Sequence, residues 1–104
     1  MSVQLNDPAV AAFVAAVNAG DKDAFLATLT DDATMSDDGS ERDLTAWTEK
    51  EIFSSSGHME VDRVSPDGHT LEVTYSNSTY GTMHTRWSFT VTDGRVSRFE
   101  TGQA

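Results

Sequence analysis

There is no cysteine anywhere in the 104 residues. Disulfides, thiolate metal sites and a cysteine nucleophile are therefore excluded. Long apolar runs are missing too: the longest, Ala9 to Val17, is far too short to span a bilayer. Basic residues are scarce. Seven Lys and Arg stand against seventeen Asp and Glu, for a net charge of −10. Such a surface repels phosphate backbones and anionic lipid headgroups, so neither nucleic acid nor membrane is expected as a partner; the plain role of the charge is solubility. The opening MSVQLNDP has neither the basic start nor the apolar run of an export signal, which makes the cytoplasm the expected location. Chemical signatures are few. No glycine-rich phosphate loop and no GxSxG elbow occurs. His58, His69 and His84 lack ligand spacing, and the acids at Asp31, Asp32, Asp37, Asp38, Glu41 and Asp43 lack the D-x-D-x-D-G pattern of a calcium loop. No metal and no cofactor is expected. Asn77-Ser78-Thr79 is a formal glycosylation sequon, read as chance without an export signal.

What is present reads as one globular domain, residues 1–104, with 38% apolar and 23% charged residues. A chain of this length buries roughly two-thirds of its unfolded surface, enough for one modest core. Asp7-Pro8 predicts a helix start, with Val10, Phe13, Val14 and Val17 on one face and Gly20 as its stop. Asp21 caps a second helix whose stripe is Phe25, Leu26 and Leu29, ended by Thr30-Asp31-Asp32. A short strand follows from Ala33 to Asp37, then a turn at Asp38-Gly39-Ser40. A third helix is expected from about Leu44 to Ser54, capped by Asp43 or Thr45, with Leu44, Trp47 and Ile52 or Phe53 inward.

From His58 the apolar period becomes two. His58–Val64 predicts a strand and Ser65-Pro66-Asp67-Gly68 a turn. Leu71, Val73 and Tyr75 then alternate with polar residues. After a turn at Asn77 to Gly81, Met83, Thr85, Trp87, Phe89 and Val91 share one face of a long strand, with His84, Arg86, Ser88 and Thr90 on the other. Asp93-Gly94 is hairpin-turn chemistry, and Arg95 to Thr101 closes the sheet. The pattern predicts an α+β fold: three N-terminal helices packed on one face of a curved antiparallel sheet, with room for a cavity between them.

The stretch Phe13 to Thr34, FVAAVNAGDKDAFLATLTDDAT, with its VAAVNAGD and DDAT segments, resembles the helix–helix–strand opening of bacterial ketosteroid isomerases. These belong to the nuclear transport factor 2-like (SnoaL-like) superfamily, and Asp93-Gly94-Arg95-Val96 is similar at the closing end. The resemblance implies a cone-shaped, cystatin-like roll with an interior pocket, commonly dimeric. The outer sheet face carrying His84, Arg86, Ser88 and Thr90 is the expected homodimer surface. The resemblance also places the isomerase roles one by one. A proton-transfer base falls on Asp37. The oxyanion-donating tyrosine falls on Phe13, which has no hydroxyl. The neutral acid falls on Arg86 without a gap, or on Trp87 if the last hairpin is one residue shorter; the apolar phase of the strand favours Trp87. Either way the acid is gone. Each missing donor is worth about 3 kcal/mol of barrier, so steroid isomerisation is not expected.

Two readings of Asp37 stand side by side: a general base in a pocket, or, preferred, a solvated acid at a strand end beside Asp38. Phe13, Met35, Trp47, Tyr75 and Trp87 are candidate ligand-binding residues for a small apolar molecule. Core filling is the plainer alternative for such side chains. Tyr75 and Trp87 are the better pocket candidates, since each has a polar end that needs a partner. The leading expectation is a small-molecule pocket protein without assigned chemistry. The alternative is an isomerase- or cyclase-like enzyme using Asp37 on an apolar carbonyl or polyketide-like substrate.

Overall fold

The structure, a computed structural model, describes residues 5–104; the first four residues of the segment read above for an export signal lie outside them. The first helix, α1 (Pro8–Ala19), starts where Asp7 Oδ1 accepts from the N–H groups of Ala9 and Val10 at 2.8 and 3.2 Å. Those two donors would otherwise have no partner at a helix start. Gly20 ends α1 at φ 66°, a left-handed conformation that is cheap without a Cβ. Asp21 caps α2 (Lys22–Ala27) by accepting from Ala24 N–H at 3.0 Å.

Beyond α2 the chain leaves the helical spacing that the sequence suggests. Leu29 is not part of the helical stripe but opens β1 (Leu29–Asp37), and Leu26 is 41% exposed. The Thr28 hydroxyl donates to the Phe25 carbonyl at 2.7 Å as the helix closes, and the Thr28 carbonyl accepts from Val96 N–H at 2.8 Å. Pairing with a distant strand outweighs a helix of six residues, which has little stability of its own. The β-branched Thr28 and Thr30 also favour extended backbone. A strand absent from the sequence reading, β2 (Ser40–Arg42), folds back on β1 across Asp38 and Gly39, at φ 49° and 82°. Its three residues are polar and exposed, so no alternation betrays it.

Asp43 caps α3 (Leu44–Thr48), accepting from Ala46 N–H at 2.9 Å. The expected helix to Ser54 does not continue as an α-helix: it widens into a π-helical turn over Glu49–Phe53, in which Ser54 N–H reaches the Glu49 carbonyl at 2.8 Å. Ile52 points into the core, while Leu44, Trp47 and Phe53 are half-buried.

The meander is formed by β3 (His58–Val64), β4 (Thr70–Asn77), β5 (Gly81–Thr92) and β6 (Arg95–Gln103). The six strands lie in the order β2-β1-β6-β5-β4-β3. Because β1 joins β6 in parallel, the curved sheet is mixed rather than antiparallel throughout. Leu71, Val73 and Tyr75 of β4, Trp87 and Phe89 of β5, and Val96 and Phe99 of β6 are buried beneath the helices. On the other face Glu72, His84, Arg86, Thr90 and Glu100 are exposed, and Ser88 is half-buried. At the centre of the core, Phe13 holds its ring 4.9 Å from those of Phe25 and Phe89, 5.0 Å from Phe99 and 6.0 Å from Trp87. No helix among the described residues is long and apolar enough to cross a membrane.

Asp7 has a second partner. Its Oδ2 lies 2.8 Å from His69 Nε2 and ties the start of α1 to the β3–β4 turn. Burial alone would raise the Asp7 carboxyl, but the bonds from His69, Val10 and Ala9 outweigh it and hold the group below the usual carboxylate range. A depressed folded-state value means stability that is complete above the unfolded pKa and lost as pH falls through the folded one. Asp7→Ala should therefore cost about 1 kcal/mol near neutral pH and flatten the acid side of a urea-unfolding profile; equal acid sensitivity in variant and parent would contradict this account.

Candidate functional site

A cavity of about 240 Å³ opens where the C-terminal ends of β1, β4 and β6 meet the start of β5 beneath the π-helical turn. Its wall is built from side chains that already hold one another. Asp37 is the last residue of β1, in register with Thr101 of β6 and Ser40 of β2. This places its half-buried carboxylate at the cavity. There the Trp47 indole N–H donates to Asp37 Oδ2 at 3.2 Å, so α3 and β1 fix each other's polar group.

The opposite wall depends on the carbonyl of Glu51 in the π-helical turn. It accepts from the Tyr75 hydroxyl at 2.5 Å and from Asn77 Nδ2 at 3.1 Å. The Asn77 Oδ1 in turn accepts from the N–H groups of Thr79 and Tyr80 at 3.1 and 2.8 Å, holding exposed Tyr80 at the cavity mouth. Burial, opposed by the hydrogen bond with Asn77 and reinforced by the negative charge of Glu51, pushes the Tyr75 phenol up to about 12. Gly57 passes so close that a Cβ there would collide with the Tyr75 hydroxyl and sit 3.0 Å from Ile52 Cα. Trp87 forms the floor. Its ring stacks on Phe99 at 5.8 Å and 24°, its N–H donates to Thr85 Oγ1 at 2.9 Å, and that hydroxyl donates to the Val73 carbonyl at 3.1 Å.

Of the candidates named from the sequence, Asp37, Trp47, Tyr75 and Trp87 line the cavity. Phe13 and Met35 do not: both are fully buried in packed core, because the aromatic rings around Phe13 leave no space beside it. The sequence reading passed over Glu51, Asn77 and Tyr80. Asn77 had a signal, since Asn at a turn commonly accepts from backbone N–H groups two and three residues on. Glu51 had none, because its contribution includes a backbone carbonyl. Three other surface depressions hold neither tryptophan nor tyrosine. Among the described residues no three His, Asp or Glu side chains converge where a metal ion could sit.

The arrangement also settles where the hydrogen-bond donors point. Arg86 is exposed on the outer face, Phe13 offers no polar atom, and the Trp87 N–H is committed to Thr85. The donor pair that would stabilise an enolate oxygen thus has no counterpart at the positions the resemblance assigned to it.

The sequence matches no family model and no curated protein. Solved structures do match. A protein provisionally named polyketide cyclase from Sinorhizobium meliloti is 26% identical, with 89% of this chain and 92% of that one covered and a TM-score of 0.73. A nuclear transport factor 2-like protein of unknown function from Cytophaga hutchinsonii is 16% identical, covering 97% and 92%, at 0.72. An LEH-like epoxide hydrolase from Mycobacterium tuberculosis is 21% identical, covering 92% and 80%, at 0.69. Together with the helices laid on a curved mixed sheet, these likenesses show the fold: it is the cystatin-type fold of nuclear transport factor 2-like proteins.

The elevated tyrosine can be checked directly. With Tyr80→Phe, Tyr75 is the only tyrosine left of two, and its absorbance should titrate near pH 12. A folded-state value above the unfolded one means that its contribution to stability is intact below pH 10 and disappears as pH climbs toward 12. Ionisation of the folded variant with a midpoint near 10 would show that the phenol is not sealed against the Glu51 carbonyl.

Proposed function

We propose that this protein binds a compact, largely apolar small molecule in the cavity walled by Trp47, Tyr75 and Trp87, and we assign it no chemistry of its own. The observation that carries this reading is the cavity itself: an aromatic-walled space beside an otherwise filled core, with a carboxylate held at it. Aromatic side chains give a ligand large contact area at low entropic cost. At about 240 Å³ the space lies below the ~300–1,000 Å³ of drug-sized sites, which favours a one- or two-ring body. A fragment screen by thermal shift and tryptophan fluorescence tests this. A compound at ten times its Kd adds about 1.4 kcal/mol, which should raise Tm by several degrees. Trp47→Ala should remove that response and Thr90→Ala should leave it. A broad screen with no stabilising compound would end the reading.

One observation favours a catalytic alternative. The Trp47 N–H fixes one oxygen of Asp37 at the cavity, as a proton-transfer base on an apolar carbonyl or polyketide-like substrate would need. The 26%-identical neighbour carries a polyketide cyclase name. Exchange of the α-protons of 2-tetralone in D2O would then run faster with the protein than with buffer. Asp37→Asn should slow it about 100-fold; unchanged exchange in that variant eliminates Asp37 as a base.

A further inference from the structure

We infer that the ligand of this cavity carries a positive charge, as a protonated amine on an aromatic or apolar body. The inference rests on the small-molecule reading above and adds the charge. Two independent features support it, one electrostatic and one a matter of hydrogen-bond supply.

The first is the sign of the wall. Asp37, Asp38 and Glu51 line the cavity, and none of the lining residues is Lys, Arg or His. The chain as a whole carries a net charge of −10, so no distant excess of positive charge offsets these three. A concave site with walls of one sign concentrates counter-charged solutes. A carboxylate or phosphate ligand would enter against that field.

The second feature is that most side-chain donors of the inner wall are already in use. The Trp47 N–H is given to Asp37, the Trp87 N–H to Thr85, and the Thr85 hydroxyl to the Val73 carbonyl. The Tyr75 hydroxyl and one Asn77 N–H are both given to Glu51. What these groups leave is mostly acceptor capacity: lone pairs on the Asp37 carboxylate and on the Tyr75 oxygen, with the acidic Asp38 and Glu51 also in the lining. Thr101 can serve either way, and the remaining donors, the Tyr80 hydroxyl and the Gln103 amide, are on exposed residues at the rim. A carbonyl or carboxylate on the ligand would find few donors inside, whereas an ammonium brings its own N–H groups to oxygens that lack them. The rings of Trp47, Tyr75 and Tyr80 in the lining would supply the other half of recognition, because aromatic rings attract a cation through their negative π faces.

A matched series of one skeleton isolates the charge: 3-phenylpropylamine, 3-phenylpropanol and 3-phenylpropionate, compared by calorimetry at pH 7 and low ionic strength. The amine should bind at least about tenfold more tightly than the alcohol, with the carboxylate weakest. Its advantage should shrink in added salt. Asp37→Asn and Glu51→Gln should each narrow the gap between amine and alcohol severalfold, with melting curves showing both variants folded. If the alcohol matches the amine, or the carboxylate exceeds it, the charge inference is wrong while the cavity still binds a ligand. If none of the three binds but neutral compounds from the screen do, the charge inference is again wrong. If nothing binds at all, both this inference and the small-molecule reading fall.

Discussion

The interior is organised by the seating of Phe13 among four other rings. That contact sets α1 against the sheet and fills the space under the first helix. It also determines where empty volume can exist. Trp87 touches Phe13 on one side and Tyr75 and Trp47 on the other, at 6.0, 5.8 and 6.2 Å. It is therefore a partition: solid core lies on the side of Phe13, the cavity on the side of Trp47 and Tyr75. A hydroxyl at position 13 would require a polar partner where only rings are present, since buried polar groups without partners are costly.

On the open side, order comes from backbone rather than from ring packing. The π-helical turn over Glu49–Phe53 presents the Glu51 carbonyl to Tyr75 and Asn77 at once. Wide turns of this kind are frequent at functional sites because they divert a carbonyl from the helix. Here the diverted carbonyl consumes donors that a ligand would otherwise meet. The cavity consequently differs in character from an oxyanion-stabilising site. Its inner side-chain donors are mostly committed, aromatic rings line it, and its charged lining residues are acidic.

Much of this was legible in the sequence, and the remainder was hidden for identifiable reasons. Asp7-Pro8, Gly20 and Asp21 mark helix ends through local hydrogen bonding, so they read correctly. The alternation through Leu71, Val73, Tyr75, Thr85, Trp87 and Phe89 reveals the inner sheet face because successive strand side chains point to opposite sides and only one side is covered. Leu29 misled because helical and strand spacing coincide over a few residues, and only its pairing with Val96 decides between them. β2 has no apolar residue to reveal it. At the site, Asp37 could be nominated from the resemblance, and Trp47, Tyr75 and Trp87 from side-chain chemistry. Phe13 and Met35 could not be separated from them, because lining a cavity and filling a core demand the same side chains. The Glu51 carbonyl leaves no mark in a sequence.

The parallel pairing of β1 with β6 carries a consequence for how the molecule is made. β6 lies between β1 and β5, inside the sheet rather than at its edge, and it holds the partners of Asp37 and Trp87 in Thr101. On a ribosome, β1 emerges early and then waits without its neighbour until residues 95–103 have been synthesised. Through that interval its edge is open to other chains, and such contacts of long sequence separation are slow to form. Exposure of an unpaired strand edge during synthesis is thus built into the strand order, independently of how stable the finished fold becomes.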